Sequence, residues 1–222
     1  MINKIAVIVF PGSNCDHDAY HVLKNTFNMS VDFIWHKESN LDNYNAILIP
    51  GGFSYGDYLR TGAIAKFSPI MKEVVSSAKK GVPVIGICNG FQILLESGLL
   101  PGALINNKNI KFLSQMVDLN VVTSNTIFTE NIEKGKILSM PIAHKEGNYI
   151  ADKSTIDNLE QNDQIVFKYN DNPNGSMNNI AGIVNCERNV LGMMPHPERM
   201  IDKYLSGEDG SLFFENLLGN LK

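Results

Sequence analysis

The chain has 222 residues, 44% of them hydrophobic and 19% charged, a balance that excludes a disordered or fibrous protein and fits one sizeable core. Nineteen Lys and Arg against 23 Asp and Glu leave a formal charge of −4, which argues against a basic nucleic-acid footprint. No apolar run approaches the roughly 20 residues of a membrane span. Three cysteines, Cys15, Cys88 and Cys186, with no Cys-x-x-Cys pair, argue against a disulfide framework and a structural zinc site.

The N-terminal apolar run leads into Pro11-Gly-Ser-Asn-Cys-Asp16 rather than a small-residue cleavage site, so it reads as a first strand, Ile5–Phe10, of a cytoplasmic protein. A helical pattern follows over Asp18–Phe27, then strands over Val31–Trp35 and Ala46–Ile49. Ser68-Pro69 has the form of a helix start, N-cap Ser and first-turn Pro, for a helix running to Lys80 with Gly81 as its stop. Val82–Ile87 is a continuous apolar strand of the kind buried on both faces of a parallel sheet. This alternation predicts an open α/β sheet with right-handed crossovers. After Gly102 the pattern changes: Phe112–Thr123, Gln164–Tyr169, Ile180–Asn185 and Val190–Met194 are strand-like, with a turn at Cys186–Asn189. These are expected to add antiparallel strands to the same core, and Asp209–Leu221 closes the chain as a helix. With no internal repeat or linker, residues 1–222 are expected to form one domain.

Chemistry concentrates at Val84-Ile-Gly86-Ile-Cys88-Asn-Gly90-Phe-Gln92, a strand, a sharp turn and a helix with glycines two residues to either side of a cysteine. That is the form of a nucleophile elbow with Cys in place of Ser. Side chains at the two glycine positions would collide with the neighbouring strand and helix. Cys88 then stands at a helix N-terminus, where free amides and the helix dipole favour a thiolate, and the Asn89 amide is free to bind an oxyanion. Cys15 and Cys186 lack such flanks and read as structural. A nucleophilic Cys needs a base and a group to orient it. His196 stands in Met193-Met-Pro-His196-Pro-Glu198-Arg199, where flanking prolines favour extended backbone, so residues i and i+2, His196 and Glu198, are expected to project to one side. His144 is given no role, since Gly147 and Asn148 follow it in a loop-like stretch. The strand Ala46–Ile49 ends in Gly51-Gly52. Ligands gather at the carboxyl ends of such strands, so Gly52 is the candidate second oxyanion donor. No phosphate loop and no dinucleotide fingerprint occurs.

The segment Gly86-Ile-Cys88-Asn-Gly-Phe-Gln92 resembles the nucleophile signature of class I (triad-type) glutamine amidotransferases, and His196-Pro-Glu198 resembles their second signature. Four runs narrow the resemblance: Pro11-Gly-Ser-Asn-Cys-Asp16, Gly51-Gly-Phe-Ser-Tyr-Gly-Asp-Tyr-Leu-Arg60, Pro141-Ile-Ala-His-Lys-Glu-Gly147 and Met193-Met-Pro-His-Pro-Glu-Arg199. Together they are similar to the small, separate-chain glutaminase subunits of phosphoribosylformylglycinamidine synthase, with Lys145 departing from an expected small residue. The resemblance implies a three-layer, flavodoxin-like α/β fold: an open, mostly parallel sheet with helices on both faces and added antiparallel strands in the second half. It implies Cys88, His196 and Glu198 as the catalytic triad, the amides of Gly52 and Asn89 as the oxyanion hole, and Gln92 as a contact to bound glutamine. It implies no metal and no cofactor in this chain. Ammonia would pass to a large synthetase subunit that binds ATP and magnesium, with a small accessory subunit completing the complex. Alternative readings are a class I glutaminase serving another synthetase, an elbow-type cysteine hydrolase without ammonia transfer, and a non-catalytic binding module that kept the fold.

Overall fold

The structure is a computed structural model, and residues 3–204 and 207–221 are described. The chain begins with strand β1 (Lys4–Val9), helix α1 (Asp16–His21), β2 (Ser30–Trp35) and β3 (Ala46–Ile49). Helix α2 (Pro69–Lys79), β4 (Val84–Ile87) and helix α3 (Asn89–Glu96) complete the first half. The second half adds β5 (Ala103–Ile105), β6 (Leu113–Val121), β7 (Ile137–His144), β8 (Asn148–Ile150), α4 (Lys153–Gln161), β9 (Ile165–Tyr169), β10 (Ile180–Val184), β11 (Val190–Met193) and α5 (Asp209–Gly219). None of the described helices is long and apolar enough to cross a membrane.

Nine strands form one sheet in the order β2-β1-β3-β4-β11-β10-β9-β6-β7, and β5 pairs with β8 in a small second sheet. From β2 to β11 every pairing is parallel; from β11 to β7 every pairing is antiparallel. The expected architecture of a parallel sheet with antiparallel additions is therefore what forms. The central strands β3 and β4 are buried at every position, as all-apolar strands covered on both faces must be.

Four elements escape the sequence reading. Strand β7 carries Pro141 in its middle, and Pro lowers strand propensity because it has no N–H for the ladder. The strand is tolerated because β7 is the sheet edge. Helix α4 buries only Ile156 and Leu159 in an otherwise polar segment, and the Asp152 side chain caps it by accepting from the Thr155 amide at 2.7 Å. Strands β5 and β8 are three residues each. One boundary also moves, and one expected cap does not form. Helix α1 begins at Asp16 and widens into a π-helical turn over Val22–Thr26. Ser68 occupies the N-cap of α2 without capping it; its hydroxyl bonds the Tyr55 hydroxyl instead, at 2.9 Å.

Candidate active site

Strands β3, β4 and β11 lie side by side and run the same way, with Ile49 beside Gly86 and Met193 beside Ile87. Their carboxyl ends therefore deliver Gly51-Gly52, Cys88 and the His196 segment to one place. Cys88 is buried and sits between β4 and α3 at φ 51°, ψ −104°, a left-handed conformation that is strained for a residue with a side chain. Its amide donates to the Met193 carbonyl at 2.8 Å, pinning the turn to β11. The flanking glycines are obligatory. A Cβ on Gly86 would lie 2.6 Å from the Gly90 backbone, and one on Gly90 would lie 2.0 Å from the Ile49 carbonyl oxygen. The collisions expected with strand and helix are thus those of β3 and α3.

His196 and Glu198 are both buried, and Nδ1 of His196 meets Oε1 of Glu198 at 2.6 Å. The pair forms, but not for the reason expected: Pro197–Arg199 is a 3₁₀ turn, so Glu198 is curled back onto the imidazole rather than carried on an extended chain. The His196 amide is fixed to the Pro141 carbonyl at 2.9 Å. Burial works against the imidazolium, yet the charges of Glu198 and Cys88 outweigh it and push His196 above its ordinary range. Nε2 of His196 is buried without a hydrogen bond. Gly51 marks where the groups converge: a Cβ there would lie 2.8 Å from Cε1 of His196, 3.3 Å from Sγ of Cys15 and 3.4 Å from Cβ of Cys88.

Gly52 has φ 135°, and a Cβ on it would meet the Asn14 backbone at 2.7 Å. It bridges Ser13, and Phe53 donates to the Gly12 carbonyl at 3.1 Å, so the Pro11–Cys15 segment holds the Gly52 turn. Asn89 is the first residue of α3, where the amide has no carbonyl one turn earlier to bond. Its side chain has a positioning role that composition does not reveal: Oδ1 accepts from the Ser54 amide at 3.1 Å and Nδ2 donates to Oε1 of Gln92 at 2.9 Å. Gln92 in turn donates to the Glu146 carbonyl at 2.7 Å. A cavity of about 210 Å³ is lined by Gly52, Cys88, Gln92, Asp57, Thr61 and Glu146, among others. It is below the ~300–1,000 Å³ of drug-sized sites and suits a small metabolite. A larger cavity of about 650 Å³ lies near Asn45, Val82 and Asn189, before the amino ends of β3, β4 and β11, and no cysteine or histidine is among its described lining residues.

Cys15, expected to be structural, lies against this site. Nη2 of Arg199 donates to its sulfur at 3.1 Å, and Asp18 holds the same guanidinium at 3.3 Å. Burial first, then the Glu198 charge, push the Cys15 thiol up to about 12, so it stays protonated. Donor atoms of Cys15, His196 and Glu198 lie within 4.8 Å of one another, but the guanidinium on the sulfur opposes a cation there. Cys186 is exposed and remote from these groups in the β10–β11 turn. His144 ends β7 and is buried. Burial, then the charge of His196, bring it down to about 4, and Nδ1 meets Oδ1 of Asn107 at 3.1 Å.

Residues 2–208 match the family model of the CobB/CobQ-like glutamine amidotransferase domain. The chain belongs to this family. It is also 44% identical to a chain in the structure of PurLQS from Thermotoga maritima, over 100% of both chains, with a TM-score of 0.91. The resemblance to the glutaminase subunit of phosphoribosylformylglycinamidine synthase is thereby borne out. More distant solved structures share the fold. A glutamine amidotransferase from Thermotoga maritima is 17% identical, with 99% of this chain and 94% of that one covered and a TM-score of 0.60. The glutaminase domain of CTPS from Trypanosoma brucei is 13% identical, with 98% and 94% covered and a TM-score of 0.60. The amidotransferase family accounts for the flavodoxin-like α/β fold.

Proposed function

We propose that this chain hydrolyses glutamine through a Cys88 thioester and hands the ammonia to a synthetase subunit. The observation that carries the reading is the meeting of an elbow cysteine with a buried His–Glu pair at the ends of adjacent parallel strands. The Cys88 proton passes to Nε2 of His196, whose imidazolium is favoured by its surroundings, and the resulting thiolate attacks the side-chain amide carbon of glutamine. The oxyanion is stabilised by the amides of Gly52 and Asn89. His196 then gives the proton to the leaving nitrogen, and ammonia departs. Water, deprotonated by His196, cleaves the thioester to glutamate and regenerates the thiol. Glu198 holds the imidazole tautomer and offsets its charge. Gln92 borders the substrate and holds the Glu146 backbone in place.

The full-length match to a PurLQS chain and the run Ser54-Tyr-Gly-Asp-Tyr-Leu-Arg60 favour one ammonia acceptor. That acceptor is a large synthetase subunit that uses ATP and magnesium to convert formylglycinamide ribonucleotide to its amidine in purine biosynthesis. A small accessory subunit completes the assembly, and the cytoplasm is where it works. The test is reconstitution with cognate subunits, ATP, magnesium and formylglycinamide ribonucleotide, comparing glutamine with free ammonia. Glutamine-driven amidine formation is expected to vanish in Cys88→Ala while ammonia-driven formation survives. Product from ammonia but none from glutamine with the unaltered chain would overturn the assignment of this acceptor.

A further inference from the structure

Hydrolysis at the side-chain amide leaves the α-ammonium of a glutamine untouched, yet that charge must be accommodated wherever the amino acid sits. The cavity at Cys88 carries two carboxyl groups, Asp57 and Glu146. Glu146 is anchored from two sides. Its Oε2 accepts from the Thr61 hydroxyl at 2.6 Å, and its carbonyl accepts from Gln92, itself held by Asn89 on α3. Asp57 is set by a tight turn, with φ 56°, and its Oδ1 is buried without any hydrogen bond. A buried carboxylate oxygen with no donor, beside a second carboxyl, is unfavourable until a cation with several N–H donors arrives.

We infer that Asp57 and Glu146 form the subsite for the substrate's α-ammonium and so select an α-amino acid amide over a plain carboxamide. This rests on the glutaminase reading of the same cavity. Burial, and then the Glu146 charge, raise the Asp57 carboxyl to about 6, the direction expected of an acidic pair awaiting its counter-charge. The other ionisable groups lining the cavity are Cys88, His144 and Lys145. His144 is neutral by burial and Lys145 is exposed. Arg60 is committed to Glu96 by a bidentate pair at 2.5 and 2.8 Å. None of them supplies the buried cation that the pair lacks.

The assay is glutamate or glutarate release by the full-length chain assembled with its synthetase, with glutamine and with glutaramate, which is glutamine lacking the amino group. The preference for glutamine in kcat/KM is expected to fall about tenfold to a hundredfold in Asp57→Asn and in Glu146→Gln, the scale of one charged hydrogen bond. In the unaltered enzyme the same preference is expected to weaken as pH falls through about 6, because protonation removes the Asp57 charge. In Asp57→Asn that pH dependence should be flat. The pH arm needs no folded variant. Loss of both substrates in step, or a preference unchanged by either substitution, overturns the inference while leaving glutaminase activity in place. If the unaltered enzyme releases neither product and a diazoketone analogue of glutamine fails to alkylate Cys88, the glutaminase reading falls and the subsite with it.

Discussion

Gly51 shows how narrowly the site is built at the scale of single residues. Its own backbone does not require glycine, since its φ is not in the left-handed region, but its missing side chain is the space in which His196, Cys15 and Cys88 meet. Gly51→Ala is therefore expected to displace the imidazole and cut glutamine turnover by about 10²-fold or more, because a misplacement of about 1 Å has that effect. Stability should fall only by about 1–3 kcal/mol; kinetics beside urea unfolding checks both, and unchanged turnover would contradict the geometry. The cysteines give a second expectation. Burial and the Glu198 charge keep Cys15 protonated and Cys186 is exposed, so brief alkylation at neutral pH should modify Cys88 and Cys186 and spare Cys15. Peptide mapping that found Cys15 modified first would contradict this. Residue reading of the sequence reached Cys88, His196 and Glu198, which the fold brings together, because the candidate nucleophile and base carry local flanks. It did not reach Cys15, Asp57 or Glu146 as neighbours of the site, because those are brought in by Arg199, by the turn after Gly52 and by the end of β7. The Asp57 and Glu146 positions do lie inside runs that carried the family resemblance, which was the available signal.

Glycine also decides the outcome at the scale of elements, with opposite signs at two positions. Gly90 lets α3 lie directly on β3, where a Cβ would penetrate the Ile49 backbone. Gly90→Ala is expected to destabilise the fold by about 3 kcal/mol or more, since backbone cannot yield as a side chain can. Gly219, in the last turn of α5, has no atom within 4 Å of a hypothetical Cβ, so Gly219→Ala should be neutral or stabilising by up to about 1 kcal/mol through helix propensity. Chemical denaturation of the two variants checks the contrast; equal effects would mean that the α3–β3 contact is looser than described. The elements that were legible are those whose apolar residues recur along the chain: β1 to β4, β6, β9 to β11, α2, α3 and α5. Those that were not owe their conformation to position. Strand β7 tolerates Pro141 because no described strand pairs beyond it, and the 3₁₀ turn at Pro197 is closed by the His196–Glu198 bond.

For the whole molecule, strand order is what converts a sequence with two distant signatures into one site. Cys88 and His196 are separated by more than a hundred residues, and the antiparallel extension β10-β9-β6-β7 is built from the chain between them. The chain then returns as β11 to lie parallel to β4. The extension also braces the site, since β7 holds the His196 amide through Pro141 and brings Glu146 to the cavity. A glutaminase that supplies a synthetase wastes glutamine when idle, so the isolated chain is expected to release glutamate well below the rate of the assembled enzyme. Equal rates would remove the need for coupling. The central claim, that Cys88 is a nucleophile made competent by the buried His196–Glu198 pair, is tested most directly by intact-mass and peptide analysis after treatment with a diazoketone analogue of glutamine. The expected result is one glutamine-protectable adduct on Cys88, absent in Cys88→Ala and slowed by about 10²-fold or more in Glu198→Gln. An adduct confined to Cys186, or labelling of Cys88 at the same rate in Glu198→Gln, would contradict it.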